Sequence, residues 1–135
     1  MPLERKIPIV VAAVIERQDG FVLICRPETE DGPRHWEFPG GEARQGESPE
    51  KAVRRTASER AGVHVEIHVG QPPLRVERDG RDVEYRFFLC GLQTGEACAE
   101  DYAEVRWVAK AQLCEYDFEH PTCDVVQWLG SSGQQ

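Results

Sequence analysis

Four charged side chains in one short segment have the residue types that bind cations and anions: Glu47, Arg55, Glu59 and Arg60. Carboxylate oxygens are preferred ligands of hard divalent cations, and guanidinium groups bind phosphate or carboxylate oxygens through paired N–H donors. Arg55 and Glu59 are spaced i and i+4, so on a helix they share one face and form an ion pair. The segment can therefore hold a metal ion, bind an anionic group, or simply present a solvated helix face.

The residues around these side chains predict one α-helix that would position them. Ser48 can cap the free N–H groups at its start, and Pro49 suits the first helical position. Gly62 can end the helix in the left-handed conformation. Apolar residues recur at every fourth position of the segment, at Val53, Ala57 and Ala61. The sequence therefore predicts a helix whose apolar stripe packs on a core.

Apolar runs before and after this helix predict the strands of a sheet. The runs are residues 7–15, 21–25, 63–69, 74–77, 83–92 and 103–108. Asp19-Gly20 and Asp79-Gly80 supply the turn residues of two hairpins. Residues 121–129 predict a terminal helix that ends at Gly130. This order of strands, helix, strands and helix predicts an α/β (α+β) fold, in which helices pack on a mixed sheet.

The composition indicates one globular domain. The chain has 135 residues, of which 40% are hydrophobic, and a formal net charge of -8. That length suits one domain of about 100–200 residues, which we predict over residues 1–130, followed by a disordered tail over 131–135. The acidic balance disfavours nucleic acid and anionic membranes as partners, because both attract basic surfaces. No apolar run approaches the roughly 20 residues of a membrane span.

The five cysteines indicate a reducing compartment. Their number is odd and no two form a C-x-x-C pair, so neither a disulfide framework nor a structural zinc site is expected. The start of the sequence does not have the pattern of a signal peptide. We therefore expect a cytoplasmic protein with reduced thiols.

One segment resembles the signature of the Nudix hydrolases, which reads G-x5-E-x7-R-E-U-x-E-E-x-G-U, where U is apolar. The matching residues are Gly41, Glu47, Arg55, Glu59, Gly62 and Val63, and Phe38-Pro39-Gly40 precedes them as in the MutT-like branch. The resemblance covers most of the chain and implies the Nudix fold, a mixed β-sheet sandwiched between α-helices. It also implies hydrolysis of a nucleotide diphosphate or triphosphate with Mg²⁺ or Mn²⁺ as the cofactor.

The resemblance further implies roles for individual residues. The metal ligands would be the carbonyl of Gly40 and the carboxylates of Glu59 and Asp101. The catalytic residues would be Glu47, Arg55 and Glu59. The substrate-binding residues would be Arg26, Phe38, Arg60 and Thr122.

Two positions depart from the signature where the helix should carry its carboxylates. The signature has three glutamates there, and this chain keeps Glu59 but has Thr56 and Arg60 in place of the other two. At ~4 Å each unit of charge is worth roughly 1–4 kcal/mol, so an arginine beside a dication strongly disfavours a pair of metal ions. One weakly held ion, or direct contact between Arg60 and phosphate oxygens, fits these residues better.

The charged residues of the segment also have interpretations that need no ligand. Glu59 can pair with Arg55 on a solvated helix face. Glu47 can stabilise the loop before the helix through its charge alone. Arg60 lies near the predicted helix C-terminus, where cations are favoured whatever their function.

The three remaining candidates also have interpretations that limit or remove a role in substrate binding. Phe38 can be a core aromatic instead of a wall for a base. Arg26 can face water at the end of a strand. Thr122 has a single hydroxyl, which limits how well it can distinguish one purine from another.

The sequence leaves three functional hypotheses. The leading one is a MutT-like Nudix protein, a metal-dependent hydrolase of nucleoside di/triphosphate-type phosphoanhydrides that is weakened by its two departures from the signature. The alternative is a catalytically inactive Nudix-fold module that senses nucleotides or binds a protein. A third, recognition of DNA lesions, as in the C-terminal domain of adenine glycosylases, is disfavoured by the net charge of -8. The oligomeric state is not specified by these patterns.

Overall fold

This computed structural model describes residues 7–28, 35–99 and 101–132. These residues contain seven strands and three helical segments. The strands are β1 (Ile9–Glu16), β2 (Phe21–Pro27), β3 (Gly40–Glu42), β4 (His64–Gly70), β5 (Leu74–Arg78), β6 (Arg81–Thr94) and β7 (Tyr102–Ala109). The helices are α1 (Pro49–Ala61), a 3₁₀ helix (Lys110–Glu115) and α2 (Thr122–Ser132).

The strands form one mixed sheet in the order β4-β6-β1-β2-β7. β1 runs parallel to β6 along its whole length, whereas its pairings with β2 and β3 are antiparallel. A parallel pair needs a long crossover connection, and the chain between β1 and β6 includes α1. β3 pairs with the first half of β1, and β5 pairs with β6. These two short strands therefore lie beside the main strand order.

Each face of the sheet is covered by helix, and successive residues of β1 alternate between the two resulting cores. Val11 and Ala13 pack with the apolar stripe of α1, whereas Val14 packs with the side chains of α2. This alternation follows from the two-residue period of a strand. The predicted mixed sheet sandwiched between helices is therefore confirmed.

Both helices lie close to where the sequence predicts them. α1 begins after Ser48 and ends before Gly62, as predicted from its caps. α2 continues to Ser132 and does not stop at Gly130, while residues 133–135 of the predicted tail lie outside the described residues. The division into a domain over 1–130 and a tail stays a prediction. Among the described residues, no helix has the length and hydrophobicity needed to cross a membrane.

Candidate active site

A close backbone contact holds Gly40 at the centre of the candidate site. β3 lies antiparallel to β1, with Gly40 opposite Ala12. A Cβ atom at Gly40 would lie 1.9 Å from the carbonyl oxygen of Val11, so only glycine fits here. The Gly40 N–H donates to the hydroxyl of Tyr102 on β7 at 3.3 Å. The Gly40 peptide is therefore held between two strands.

The placement of α1 decides which of its side chains face β3. Thr56 is buried, with its methyl carbon 3.4 Å from where a Cβ of Gly41 would be. Its hydroxyl donates to the carbonyl oxygens of Ala52 and Val53, at 2.9 and 3.3 Å. Glu59 is 53% exposed and pairs with Arg55. The residue in place of the first missing glutamate is thus satisfied within the helix.

Arg55 is the centre of an ion-pair network at the start of α1. Its Nε and Nη2 donate to the two carboxylate oxygens of Glu47 at 2.8 and 3.0 Å, and its Nη1 donates to Glu59 at 3.2 Å. The hydrogen bonds from Arg55, assisted by the backbone N–H of Arg44, lower the pKa of Glu47 from 4.5 to about 2. Both carboxylates predicted as catalytic therefore point at Arg55.

Arg60 reaches across from α1 to the Gly40 peptide. Its Nη1 donates to the Gly40 carbonyl oxygen at 2.5 Å. Its Nε lies 3.8 Å from a carboxylate oxygen of Asp101, and its guanidinium carbon lies 4.5 Å from the ring centroid of Tyr102. Arg60, Gly40 and Asp101 are thus brought together, with the guanidinium in the middle.

A cavity of about 260 Å³ opens beside this guanidinium, between β1, the 35–41 segment and the start of α2. Three of the predicted substrate-binding residues line it, namely Arg60, Phe38 and Thr122. Phe38 is also buried and stacks on Phe118, with ring centroids 5.6 Å apart, so it contributes to the core as well. Arg26 is not among the lining residues; its guanidinium pairs with Glu104 at 3.2 Å.

The cavity is also lined by Tyr85 and by two charged residues that the sequence pattern did not select, Glu37 and Arg78. Burial raises the pKa of Glu37 above 4.5; the charge of Arg60 opposes this rise and that of Glu119 adds to it. Arg78 lies over the ring of Tyr85, 5.7 Å from its centroid. A signal for Glu37 was present, since a carboxylate stood between two aromatic residues directly before the glycine turn.

As they are arranged, the residues around Gly40 do not fit a divalent cation. Mg²⁺ lies about 2.0–2.1 Å from its oxygen ligands, and Arg60 Nη1 is only 2.5 Å from the Gly40 oxygen. An ion that approached this oxygen from the side of Arg60 would overlap the guanidinium group. The other two predicted ligands are engaged by different arginines, Glu59 by Arg55 and Asp101 by Arg60. The donor set is therefore occupied by positively charged side chains.

The fold, the glycine turn and the helix that follows it define a Nudix domain. A family model described as the NUDIX domain matches residues 6–129, so the chain belongs to this family. The predicted Nudix fold and the MutT-like resemblance are confirmed by this match and by the relatives. Nudix hydrolases generally use divalent metal ions, which makes the arrangement around Arg60 a departure from the usual site.

Individual relatives support the same assignment. The chain is 28% identical over 131 residues to the 8-oxo-dGTP diphosphatase of Haemophilus influenzae, and the match covers 94% of each chain. It is 27% identical over 107 residues to the CTP pyrophosphohydrolase of Escherichia coli, with 79% of each chain covered. The MutT protein of Methanosarcina mazei superposes with a TM-score of 0.79 at 20% identity, covering 98% of this chain and 99% of that one. This last similarity shows the fold alone.

Proposed function

We propose that this chain is a MutT-like Nudix hydrolase of nucleoside di/triphosphate-type phosphoanhydrides, with a low turnover. The observation that carries the proposal is the cavity beside Gly40, into which the Arg60 guanidinium faces. A guanidinium is well suited to phosphate oxygens. The names of the two curated relatives, which act on 8-oxo-dGTP and CTP, support a nucleotide as the ligand.

The reaction would be attack of water on a phosphoanhydride, releasing a nucleoside monophosphate together with pyrophosphate from a triphosphate or phosphate from a diphosphate. We propose Glu37 as the group that accepts the proton of this water, because this residue lines the cavity and burial raises the pKa of its carboxylate, which makes it a stronger base than an exposed carboxylate. Thr56 cannot be this proton acceptor, since its hydroxyl is not a base at neutral pH. Glu47 and Arg55 are positioning residues that hold the loop before α1 and orient Glu59.

We assign the parts of the nucleotide to the walls of the cavity. Arg60 contacts the phosphates, and Phe38 and Tyr85 supply aromatic surface for the base. The Thr122 hydroxyl at the start of α2 can make one hydrogen bond to a base edge. Arg26 acts indirectly, because its guanidinium pairs with Glu104 and lies 5.9 Å from the ring centroid of Trp36, which borders the cavity.

The test is a panel of nucleoside di- and triphosphates, including 8-oxo-dGTP and CTP, with EDTA, Mg²⁺ or Mn²⁺. Pyrophosphate and phosphate release are measured beside equilibrium binding by calorimetry. We expect at least one nucleotide to bind and to be hydrolysed slowly. Glu37→Gln should lower this rate of hydrolysis at least tenfold. Glu66→Gln, an exposed carboxylate on β4 outside this cavity, is the matched control. Failure of every nucleotide to bind under all three conditions would refute the proposal.

A second candidate is a nucleotide-sensing module without turnover. It is favoured by the two residues that replace the missing glutamates, because Thr56 is bonded within α1 and Arg60 holds the Gly40 carbonyl. The same panel separates the two functions: a sensor binds a nucleotide but releases no product above the rate of the free nucleotide. For either function we propose a cytoplasmic location, which the five free cysteines favour.

A further inference from the structure

The side chain of Arg60 occupies the place in this site that a bound cation would need. It donates to the Gly40 carbonyl oxygen at 2.5 Å and faces the Asp101 carboxylate at 3.8 Å. Those two oxygen donors are two of the three that the family resemblance assigns to a metal. A positively charged group therefore already lies between the donors, and it is covalently attached to α1.

Contacts with the protein hold the Arg60 guanidinium in place but engage few of its N–H donors. The ring of Tyr102 packs against it, with 4.5 Å from the guanidinium carbon to the ring centroid. Arg60 has five N–H donors, and among the described residues a single hydrogen bond, from Nη1 to Gly40, uses them. The side chain is 29% exposed and lines the cavity. Donors of a fixed positive group therefore remain for an anion.

A second guanidinium lines the same cavity. Arg78 packs on Tyr85 and donates through Nη2 to the carbonyl of His120. Its Nε is buried and has no hydrogen-bond partner among the described residues. Buried N–H groups are nearly always paired in folded proteins, so this donor is available to an acceptor on a ligand in the cavity. The two arginines offset the carboxylates of Glu37 and Glu119 on the cavity wall.

We propose that Arg60 takes over the charge neutralisation that divalent ions provide in this family, so that the cavity binds the diphosphate group of a nucleotide without any divalent cation. This inference rests on the proposed nucleotide function and specifies how its site recognises the phosphates. A guanidinium delivers one positive charge with directed N–H donors, whereas a metal ion delivers two charges and needs oxygen ligands. Nucleotide binding by this chain therefore does not require a metal ion.

The experiment measures nucleotide affinity by calorimetry in EDTA and in excess Mg²⁺, using ADP, GDP, CDP and UDP on the full chain. We expect the wild-type Kd of the bound nucleotide in EDTA to lie within threefold of its value with Mg²⁺. Arg60→Gln should raise the Kd in EDTA at least tenfold. Arg54→Gln, which changes an exposed arginine on the same helix, should leave the Kd within twofold.

The outcomes distinguish this inference from the proposed function. Wild-type binding that requires Mg²⁺ would overturn the role of Arg60 and leave the proposed function standing. An unchanged Kd for Arg60→Gln in EDTA would also overturn it. Absence of binding under both conditions, for these diphosphates and also for 8-oxo-dGTP and CTP, would overturn the proposed function itself. The wild-type comparison needs no substitution, and Arg60→Lys, which keeps the charge, provides a second variant if Arg60→Gln unfolds.

Discussion

Replacing Glu47 by glutamine tests whether this residue holds the site together or acts on a ligand. The Glu47 carboxylate is only 9% exposed and accepts two hydrogen bonds from Arg55 and one from the Arg44 N–H. Glutamine has nearly the same volume but carries no charge. It therefore removes the ion pair while leaving the packing of the loop in place.

The magnitude follows from the lowered pKa of Glu47. A fall from 4.5 to about 2 corresponds to at most about 3 kcal/mol of stability at 1.36 kcal/mol per unit. Solvent next to the pair screens part of this interaction, so we expect the free energy of unfolding to fall by about 1–2 kcal/mol. Urea unfolding of wild type and Glu47→Gln at pH 7 measures the difference.

The same pair predicts how stability depends on pH. Because the folded-state pKa of Glu47 is lower than its unfolded value, its contribution is fully present above pH 4.5 and is lost as the pH falls towards 2. The gap between wild type and Glu47→Gln should therefore narrow over that range. Glu59→Gln, which removes the exposed partner of the same arginine, should cost less than about 0.5 kcal/mol.

Two results would refute this reasoning. A Glu47→Gln variant as stable as wild type at pH 7 would show that the pair does not hold the loop. A stability gap that persists unchanged at pH 2.5 would show that its origin is not the ionised carboxylate. If stability is unchanged while nucleotide turnover falls, Glu47 acts on the ligand and not on the fold.

Three further predictions concern α1 and its end. The double change Thr56→Glu with Arg60→Glu should restore strong Mn²⁺ binding by calorimetry and raise phosphoanhydride hydrolysis at least tenfold, which is about 1.4 kcal/mol in barrier. Because Thr56 is 2% exposed, the metal-free variant should lose about 1–3 kcal/mol of stability in urea. Glu59→Gln should lower any wild-type turnover more than Glu50→Gln, since Glu59 belongs to the ion-pair network of Arg55, whereas Glu50 lies in the first turn of α1. Gly62→Ala should lower the free energy of unfolding by more than about 1 kcal/mol, because φ is 72° and a Cβ would lie 2.8 Å from a cysteine sulfur.

Each of these has a control or a contradicting result. A folded double variant that binds Mn²⁺ without any gain in hydrolysis would remove the hydrolase function and leave the sensor. Equal turnover for the two glutamine variants would place the reaction away from the end of α1. For the glycine, Gly20→Ala is the matched control, since φ is 86° there but no atom lies within 4 Å of the added Cβ. It should cost less than Gly62→Ala.

The parts of the fold set by local signals were predictable from the sequence. The bounds of α1 follow from Ser48 and Gly62, which act on backbone groups only a few residues away. The hairpin between β5 and β6 follows from Asp79-Gly80, both of which have positive φ. The parallel pairing of β1 with β6 was not predictable in this way, because it joins segments far apart in the chain.

The site was predictable in its residues but not in its contacts. The pattern selected Arg60, Gly40 and Asp101, yet nothing in it indicated that the guanidinium would lie between the other two. A long side chain on a helix can turn to solvent or to a neighbour, and tertiary packing decides which. The same limit applies to Arg26, which the sequence placed at the substrate but which pairs with Glu104 outside the cavity lining.

The two departures from the Nudix signature are coupled in the structure. A Cβ at Gly41 would lie 3.4 Å from the Thr56 methyl and 3.6 Å from Arg60 Nη1, so both side chains meet at the same glycine turn. A glutamate at position 56 would place a carboxylate beside the guanidinium and compete with the Gly40 carbonyl for it. Threonine avoids this because its hydroxyl is bonded to the carbonyls of α1. The arginine in turn removes the need for a cation at Gly40. The two departures therefore leave a positive charge at the Gly40 carbonyl, and Arg60 supplies it in place of a metal ion.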